Sequence, residues 1–313
     1  MNDPARPFDR ALLRRRRDRY AGLHHRHDFL FAHSAEEIAG RLQAILRDFP
    51  LALDLGAHQG LHGRALAENP KIGQVFHGEL SEELARACPR PALVCDEERL
   101  PFADGSLDLV VSGLSLQHVN DLPGALIQIR RALKPDGLFM ASLLGTRTLE
   151  ELREAFIYAE AEAQGGASPR VAPFPDIREA GALLQRAGFA LPVTDTETLT
   201  VSYESLSDLM NEIRGMGAAN VLNERRRTPL LRRTLRRAEE IYRERFSLPD
   251  GRIKATFEIV YLSGWAPAPT QQKPLRPGSA KQRLSDALNT EERGAGEKAG
   301  FPTPDDGSPD SEG

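Results

Sequence analysis

The run Leu51-Ala-Leu-Asp-Leu-Gly-Ala-His-Gln-Gly60 constrains the fold more than any other stretch of this chain. Apolar residues lead into Asp54, Gly56 and Gly60 bracket a tight turn, and a helical pattern follows from His62. A first β-strand, a glycine loop and a helix N-terminus are written this way when backbone N–H groups must approach a ligand closely. His58 stands where the usual pattern has a second glycine. Strand-like runs recur at 72–77, 92–95, 107–112 and 137–143, and helical runs at 62–68, 81–87, 122–133 and 149–163. This alternation predicts a parallel sheet with helices on both faces.

The flanks read differently. Residues 1–33 are polar, basic and rich in histidine, which predicts an N-terminal arm with one short helix. Ser34 and Glu37 form a capping-box pattern, and Ile38, Leu42, Ile45, Leu46 and Phe49 follow at helical spacing. Asp176 and Glu179 open a further helix that Gly188 closes. Residues 197–203 and 254–264 alternate as longer strands, and 205–246 between them read as two or three helices, a cap on the substrate side. Leu231, Leu235, Ala238, Tyr242 and Phe246 form one face of the last helix, with Arg232, Arg233, Arg236 and Arg237 opposite. From 266 to 313 the composition turns to Pro, Gly, Ser, Lys and Glu, and such a tail is expected to be disordered. Arg14–Arg17 reads as a solvated helix face.

Several residues carry chemistry. Asp54, Gly56 and Gly60 make either a ligand loop or a plain tight turn. Glu79 closes the second strand, where a carboxylate can accept both hydroxyls of a ribose; the alternative is a solvated glutamate opening the helix at Ser81. Asp96 follows the third strand and heads the loop Glu97-Glu98-Arg99-Leu100-Pro101-Phe102. Asp96 can accept an exocyclic amine of adenine, with Leu100 and Phe102 bordering the base; an acidic turn is the alternative. The stretches Gly105–Gly113, which includes Ser112, and Leu133–Gly137 specify fold more than chemistry. His58, His77, Glu79 and His118 fall near strand ends, and two histidines with a carboxylate can make a facial iron site. Three such positions would have to converge, and no metal is assigned.

The ordered series Asp54, Glu79, Asp96, Pro101-Phe102, Asp108 and Leu133-Lys134-Pro135 resembles the class I S-adenosylmethionine-dependent methyltransferases of the type 11 group, over about residues 50–145. The resemblance implies an α/β, Rossmann-like, seven-stranded fold with a reversed last strand, and S-adenosylmethionine bound at the C-terminal strand ends. It implies a cofactor set of Asp54, Gly56, His58, Gly60, Glu79, Asp96, Glu97, Leu100 and Ser112, with the glycine loop against the methionine part. It names no catalytic residue.

A narrower resemblance lies outside that core. Phe8-Asp9-Arg10, Gln117–Pro123, Gln164–Pro169, Val171–Phe174, Arg186–Phe189, Thr194–Thr196, Leu209–Gly217 and Pro277–Ser279 are similar to the mitochondrial complex I assembly factor family and its bacterial relatives. That resemblance reaches to about residue 285. It implies a protein substrate, with hydroxylation of an arginine on a complex I subunit. The malonyl-carrier-protein methyltransferases are a more distant relative. The open readings are hydroxylation or methylation of a protein, a non-catalytic assembly factor that uses the fold for docking, and O-methylation of a carrier protein or small molecule. A net charge of −4 argues against bulk binding of nucleic acid. No apolar run approaches the roughly 18 residues that cross a bilayer, so any membrane association is expected to be peripheral and through the substrate. Two cysteines without a framework spacing, and no secretory apolar core, predict a bacterial cytoplasmic location.

Overall fold

The computed structural model describes residues 6–271. The described residues up to Pro269 form one compact unit. The tail expected from 266 onward lies, after residue 271, outside the described residues.

The chain runs α1 (Arg10–Tyr20), α2 (Phe29–Gln43), β1 (Phe49–Leu55), α3 (Leu61–Ala67), β2 (Ile72–Glu79), α4 (Glu82–Ala87), β3 (Ala92–Val94), β4 (Leu107–Gly113), α5 (Leu122–Ala132), β5 (Leu133–Leu144) and α6 (Glu150–Gln164). It continues with α7 (Ile177–Arg186), β6 (Ala190–Tyr203), α8 (Leu206–Gly215), α9 (Arg232–Phe246) and β7 (Ile253–Trp265). The sheet order is β3-β2-β1-β4-β5-β7-β6. The last strand, β7, is antiparallel to both β5 and β6. The reversed last strand is therefore present.

Both faces of the sheet are buried, which is why its inner strands read as apolar runs rather than alternations. Period-two alternation sorts their side chains. Leu138 and Met140 of β5 join the core formed with α2, α6, α8 and α9. Phe139, Ala141 and Leu143 join the opposite core, with α5 and α7. The strand order reverses between β1 and β4, and such a switch point opens a crevice at the C-terminal strand ends.

Local signals explain most helix starts. The Asp121 carboxylate accepts from the Gly124 N–H at the head of α5, and Asp176 with Glu179 forms a reciprocal capping box on α7. Ser34 is different. It lies within α2, which begins at Phe29, and its hydroxyl bonds Ser142 at 2.6 Å and His62 at 3.0 Å. Leu30 and Phe31 are buried with Ile38 and Leu42, so the apolar stripe extends the helix past the expected cap. The boundary expected at residue 33 accordingly falls inside α2. β6 also begins earlier than expected, at Ala190, and β5 absorbs Lys134-Pro135-Asp136.

The cap over 205–246 consists of α8 and α9 with an irregular stretch, 216–231, between them. Leu231 is exposed, contrary to its expected place on the buried face of α9, because it precedes the first turn. Tyr242 of that face is fully buried and its hydroxyl donates to the Lys254 carbonyl at 2.9 Å, tying α9 to β7. Tyr242→Phe should cost about 1 kcal/mol of unfolding free energy, and Tyr242→Ala about 3–5 kcal/mol. Urea melts of the two variants check this; equal losses would show that the hydroxyl carries the tie and ring packing does not.

Candidate functional site

The glycine loop leaves β1 at Leu55 and re-enters helix at Leu61. Gly56 and Gly60 have φ of 70° and 78°, the left-handed region where a Cβ is costly. His58 also sits there, at φ 51°. The loop N–H groups expected to face a ligand are largely engaged by the neighbouring strand. Gly56 and Ala57 donate to the Gly78 carbonyl at 2.8 and 3.0 Å, and His58 donates to Glu79 Oε2 at 2.8 Å. Asp54 Oδ2 accepts from the Gly63 N–H at 2.9 Å, so a carboxylate of the chain itself occupies the start of α3. His77 Nδ1 lies 3.3 Å from the same oxygen.

Glu79 is fully buried at the end of β2. Its Oε1 accepts from Arg17 Nη1 and from the Ser81 N–H, both at 2.9 Å. With the His58 N–H on Oε2, three of the roughly four acceptor positions of a carboxylate are filled. Arg17, expected on a solvated face, is 2% exposed and also donates to Ser115 Oγ at 3.2 Å. Helix α1 of the basic arm thus turns Leu13 and Arg17 inward, and Asp9 caps it by accepting from the Leu12 N–H. Arg10 of the same helix bonds Asp96 at 2.7 Å and also Glu97. Its Nε lies 3.9 Å from Glu98. Glu97 is fully buried, accepts from Ser115 Oγ at 2.5 Å and lies 3.7 Å from Arg17.

The cluster therefore sets four carboxylates, Glu79, Asp96, Glu97 and Glu98, against two guanidinium groups, Arg10 and Arg17. Burial opposes charge on both inner carboxylates, with different outcomes. Arg10 and Arg17 outweigh it at Glu97 and hold that carboxyl below its ordinary range. At Glu79 burial prevails over Arg17, and the pKa is raised. Leu100 donates its N–H to Gln128 and packs, partly buried, on the α5 side of the sheet. The Ser112 hydroxyl donates to the Leu55 carbonyl at 2.7 Å, a bond between β4 and β1.

His58 was expected beside the cofactor. Its ring packs 4.2 Å from Phe31 and 5.3 Å from His24. Both nitrogens of His58 and of His24, Gln117 Oε1, His118 Nδ1 and Asp54 Oδ1 are buried without a hydrogen-bond partner among the described residues. His77 turns to Asp54 and His58 to Phe31, so the strand-end histidines do not converge. No group of three metal-ligating side chains occurs among the described residues. Sequence reasoning missed Arg17, Arg10 and Ser115, and only Phe8-Asp9-Arg10 carried any signal.

The carboxylates at the ends of β2 and β3 and the glycine loop after β1 suit an adenosyl ligand in chemistry. In volume the crevice is closed. The cavity between Arg17, His58, Gln117 and His118 holds about 20 Å³, room for about one water.

The buried imidazoles fix a pH dependence. Burial, then Arg17, pushes His24 down to about 4 and His118 to about 3. His58 and His62 are lowered too, chiefly by burial. His24 and His118 stay neutral in the fold, whereas in the unfolded chain each takes up a proton below its ordinary value of 6.5. The unfolded state then binds more protons, so stability falls as pH drops from about 6.5 towards 4, by up to about 1.4 kcal/mol per pH unit for each group. His24→Phe, which keeps the ring packing, should flatten this slope by about 1 kcal/mol per pH unit. Urea melts at pH 6.5, 5.5 and 4.5 measure it, and an unchanged slope would contradict the assignment.

Comparison with known proteins bears on the same residues. Residues 53–141 match the methyltransferase domain family. The mitochondrial arginine-hydroxylase NDUFAF5 of Mus musculus is 38% identical over 299 residues, covering 91% of this chain and 87% of that protein. The malonyl-[acyl-carrier protein] O-methyltransferase of Halorhodospira halophila is 34% identical over 277 residues, covering 86% of this chain and 92% of that protein. Among solved structures, the YcgJ protein of Bacillus subtilis superposes with a TM-score of 0.51 at 16% identity, over 75% of this chain and 99% of that one. That likeness speaks for the fold alone.

Proposed function

We infer the function of this chain from the family to which it belongs, that of the arginine-hydroxylase NDUFAF5. The chain binds S-adenosylmethionine in the crevice at the ends of β1, β2 and β3 and modifies an arginine side chain of a partner protein, a subunit of respiratory complex I. The observation that carries this reading is the 38% identity over 91% of the chain. No helix among the described residues is long and apolar enough to cross a membrane. The free thiols of Cys88 and Cys95 fit a reducing bacterial cytoplasm.

Glu79 accepts the ribose hydroxyls in this reading. Asp96, Glu97 and Leu100 border the adenine, and Gly56, His58 and Gly60 flank the methionine part. Asp54 and Ser112 hold the loop to α3 and β4. Bound S-adenosylmethionine supplies a sulfonium cation, and the surplus of carboxylates over guanidinium groups suits a cation. Glu79 has one acceptor position left, so the cofactor displaces Arg17 from it, and α1 lifts as it does so. No side chain of the crevice is required as a general base.

A second reading, methyl transfer, has the malonyl-carrier-protein relatives in its favour. Mass spectrometry of complex I subunits from a deletion strain separates the two. A missing oxygen atom on an arginine marks hydroxylation and a missing methylene marks methylation; unchanged subunits sink both.

Calorimetry tests the crevice. Glu79→Ala should weaken S-adenosylmethionine by about 1–3 kcal/mol. Arg17→Gln, which leaves Glu79 a hydrogen-bonding neighbour but no competing cation, should tighten it about tenfold. Wild-type affinity in Glu79→Ala removes Glu79 from the site, and weaker binding in Arg17→Gln means that the guanidinium supports the cofactor.

A further inference from the structure

Strand β6 closes one edge of the sheet, and among the described residues no strand lies beyond it. It is fourteen residues long, and none of them is buried. The opposite edge, β3, has only three residues. Every second residue of β6 turns its N–H and C=O away from β7, so the outer side of the strand is a row of donors and acceptors. A long edge of this kind invites pairing with another strand unless charge, proline or a bulge blunts it.

In β6 the blunting stops halfway. Leu191 has φ of 50°, Pro192 offers no N–H, and the pairing with β7 shifts register between Ala190 and Val193. Asp195 pairs with Arg41 at 2.9 Å and accepts from the Thr196 N–H at 2.8 Å. Glu197 meets His33 at 2.9 Å. From Thr198 to Tyr203 the strand reads Thr-Leu-Thr-Val-Ser-Tyr, with no charge, proline or glycine. All six residues pair with β7 in unbroken register, from Thr198 with Glu258 to Tyr203 with Ile253. The two faces of this run differ. Leu199, Val201 and Tyr203 pack, partly buried, on the core formed with α8 and α9. Thr198 and Thr200 are exposed on the other face, past the point where Gly181 of α7 lies against Thr194.

The run is complementary to itself. A two-fold axis perpendicular to the sheet sets two copies of β6 antiparallel and keeps each side chain on its own face. An axis at Thr196 would set Asp195 opposite Glu197, and an axis at either acid would set that acid opposite itself; like charges directly opposite are unfavourable. An axis at Thr200 sets Thr200 opposite Thr200, Thr198 opposite Ser202 and Leu199 opposite Val201. Hydroxyl pairs and β-branched pairs of this kind stabilise antiparallel strands. Glu197 then faces Tyr203, and Asp195 lies outside the paired run.

We propose that the outer edge of β6 from Glu197 to Tyr203 pairs with the same edge of a second copy of this chain, giving a symmetric dimer with one sheet continuous through both. β5 and β7 separate β6 from β4 and the crevice in the sheet order, so each copy keeps its own site. The contact is independent of which modification the chain performs.

Sedimentation velocity of the full chain from about 1 to 100 µM tests the contact. The wild type should be a dimer at the upper end. Thr200→Lys, which places two like charges on the axis, should weaken the dimer at least tenfold and leave S-adenosylmethionine affinity within about twofold. Thr200→Cys should form a disulfide-linked dimer on mild oxidation, because residues opposite each other on the axis have Cα atoms about 4.5–5.5 Å apart. Thr196→Cys, far from its own copy in this register, should not. The two native cysteines are buried and add no background. A wild type that stays monomeric at about 100 µM overturns the proposal and leaves the edge to a strand of another protein. An unaltered dimer in Thr200→Lys, or equal cross-linking at positions 196 and 200, overturns it as well. Should Thr200→Lys not fold, the cysteine variants decide: no cross-link in Thr200→Cys overturns it.

Discussion

The ion pair between Arg17 and Glu79 organises this molecule. It joins a helix at the start of the chain to the end of the second strand, with both side chains almost wholly out of water. Such a pair is stable only when every remaining polar position is satisfied. Here the Ser81 and His58 N–H groups add to the Arg17 bond on Glu79, and Ser115 accepts a second bond from Arg17. That contact acts on the position of α1 together with the Arg10 pairs to Asp96 and Glu97 and the burial of Leu13. Removing Arg17 alone would leave the Glu79 carboxyl buried without its cation, at a cost of about 3–5 kcal/mol, whereas Arg17 without Glu79 still has Glu97 at 3.7 Å.

The sheet was legible because its information is local. Apolar runs punctuated by glycine and proline mark each parallel strand, and the strand-end positions of Asp54, Glu79 and Asp96 follow from counting. Helix α1 was illegible for the opposite reason. Four consecutive arginines look like a solvated face, and nothing in the run distinguishes Arg17 from Arg14. The distinction comes from a carboxylate 62 residues away and from the Leu13 side of α1 turning inward. Ser34 misled similarly, since a hydroxyl that caps in isolation is taken by Ser142, 108 residues on. His58 was visible as a departure from pattern, but its packing on Phe31 and His24 was not.

The crevice concentrates carboxylates around Arg10 and Arg17. Burial keeps the imidazoles of His24, His58 and His118 uncharged, so no additional cation competes with a cationic ligand near neutral pH. The same burial makes the fold sensitive to acid. Recognition and stability are here consequences of one arrangement.

The central claim is that α1 covers the cofactor crevice through Arg17 and lifts when S-adenosylmethionine takes its place on Glu79. Amide hydrogen exchange with and without saturating S-adenosylmethionine tests it most directly. The account predicts faster exchange across Arg10–Tyr20 and slower exchange across Gly56–Gly63 in the bound protein. Slower exchange across Gly56–Gly63 with Arg10–Tyr20 unchanged or further protected would contradict it.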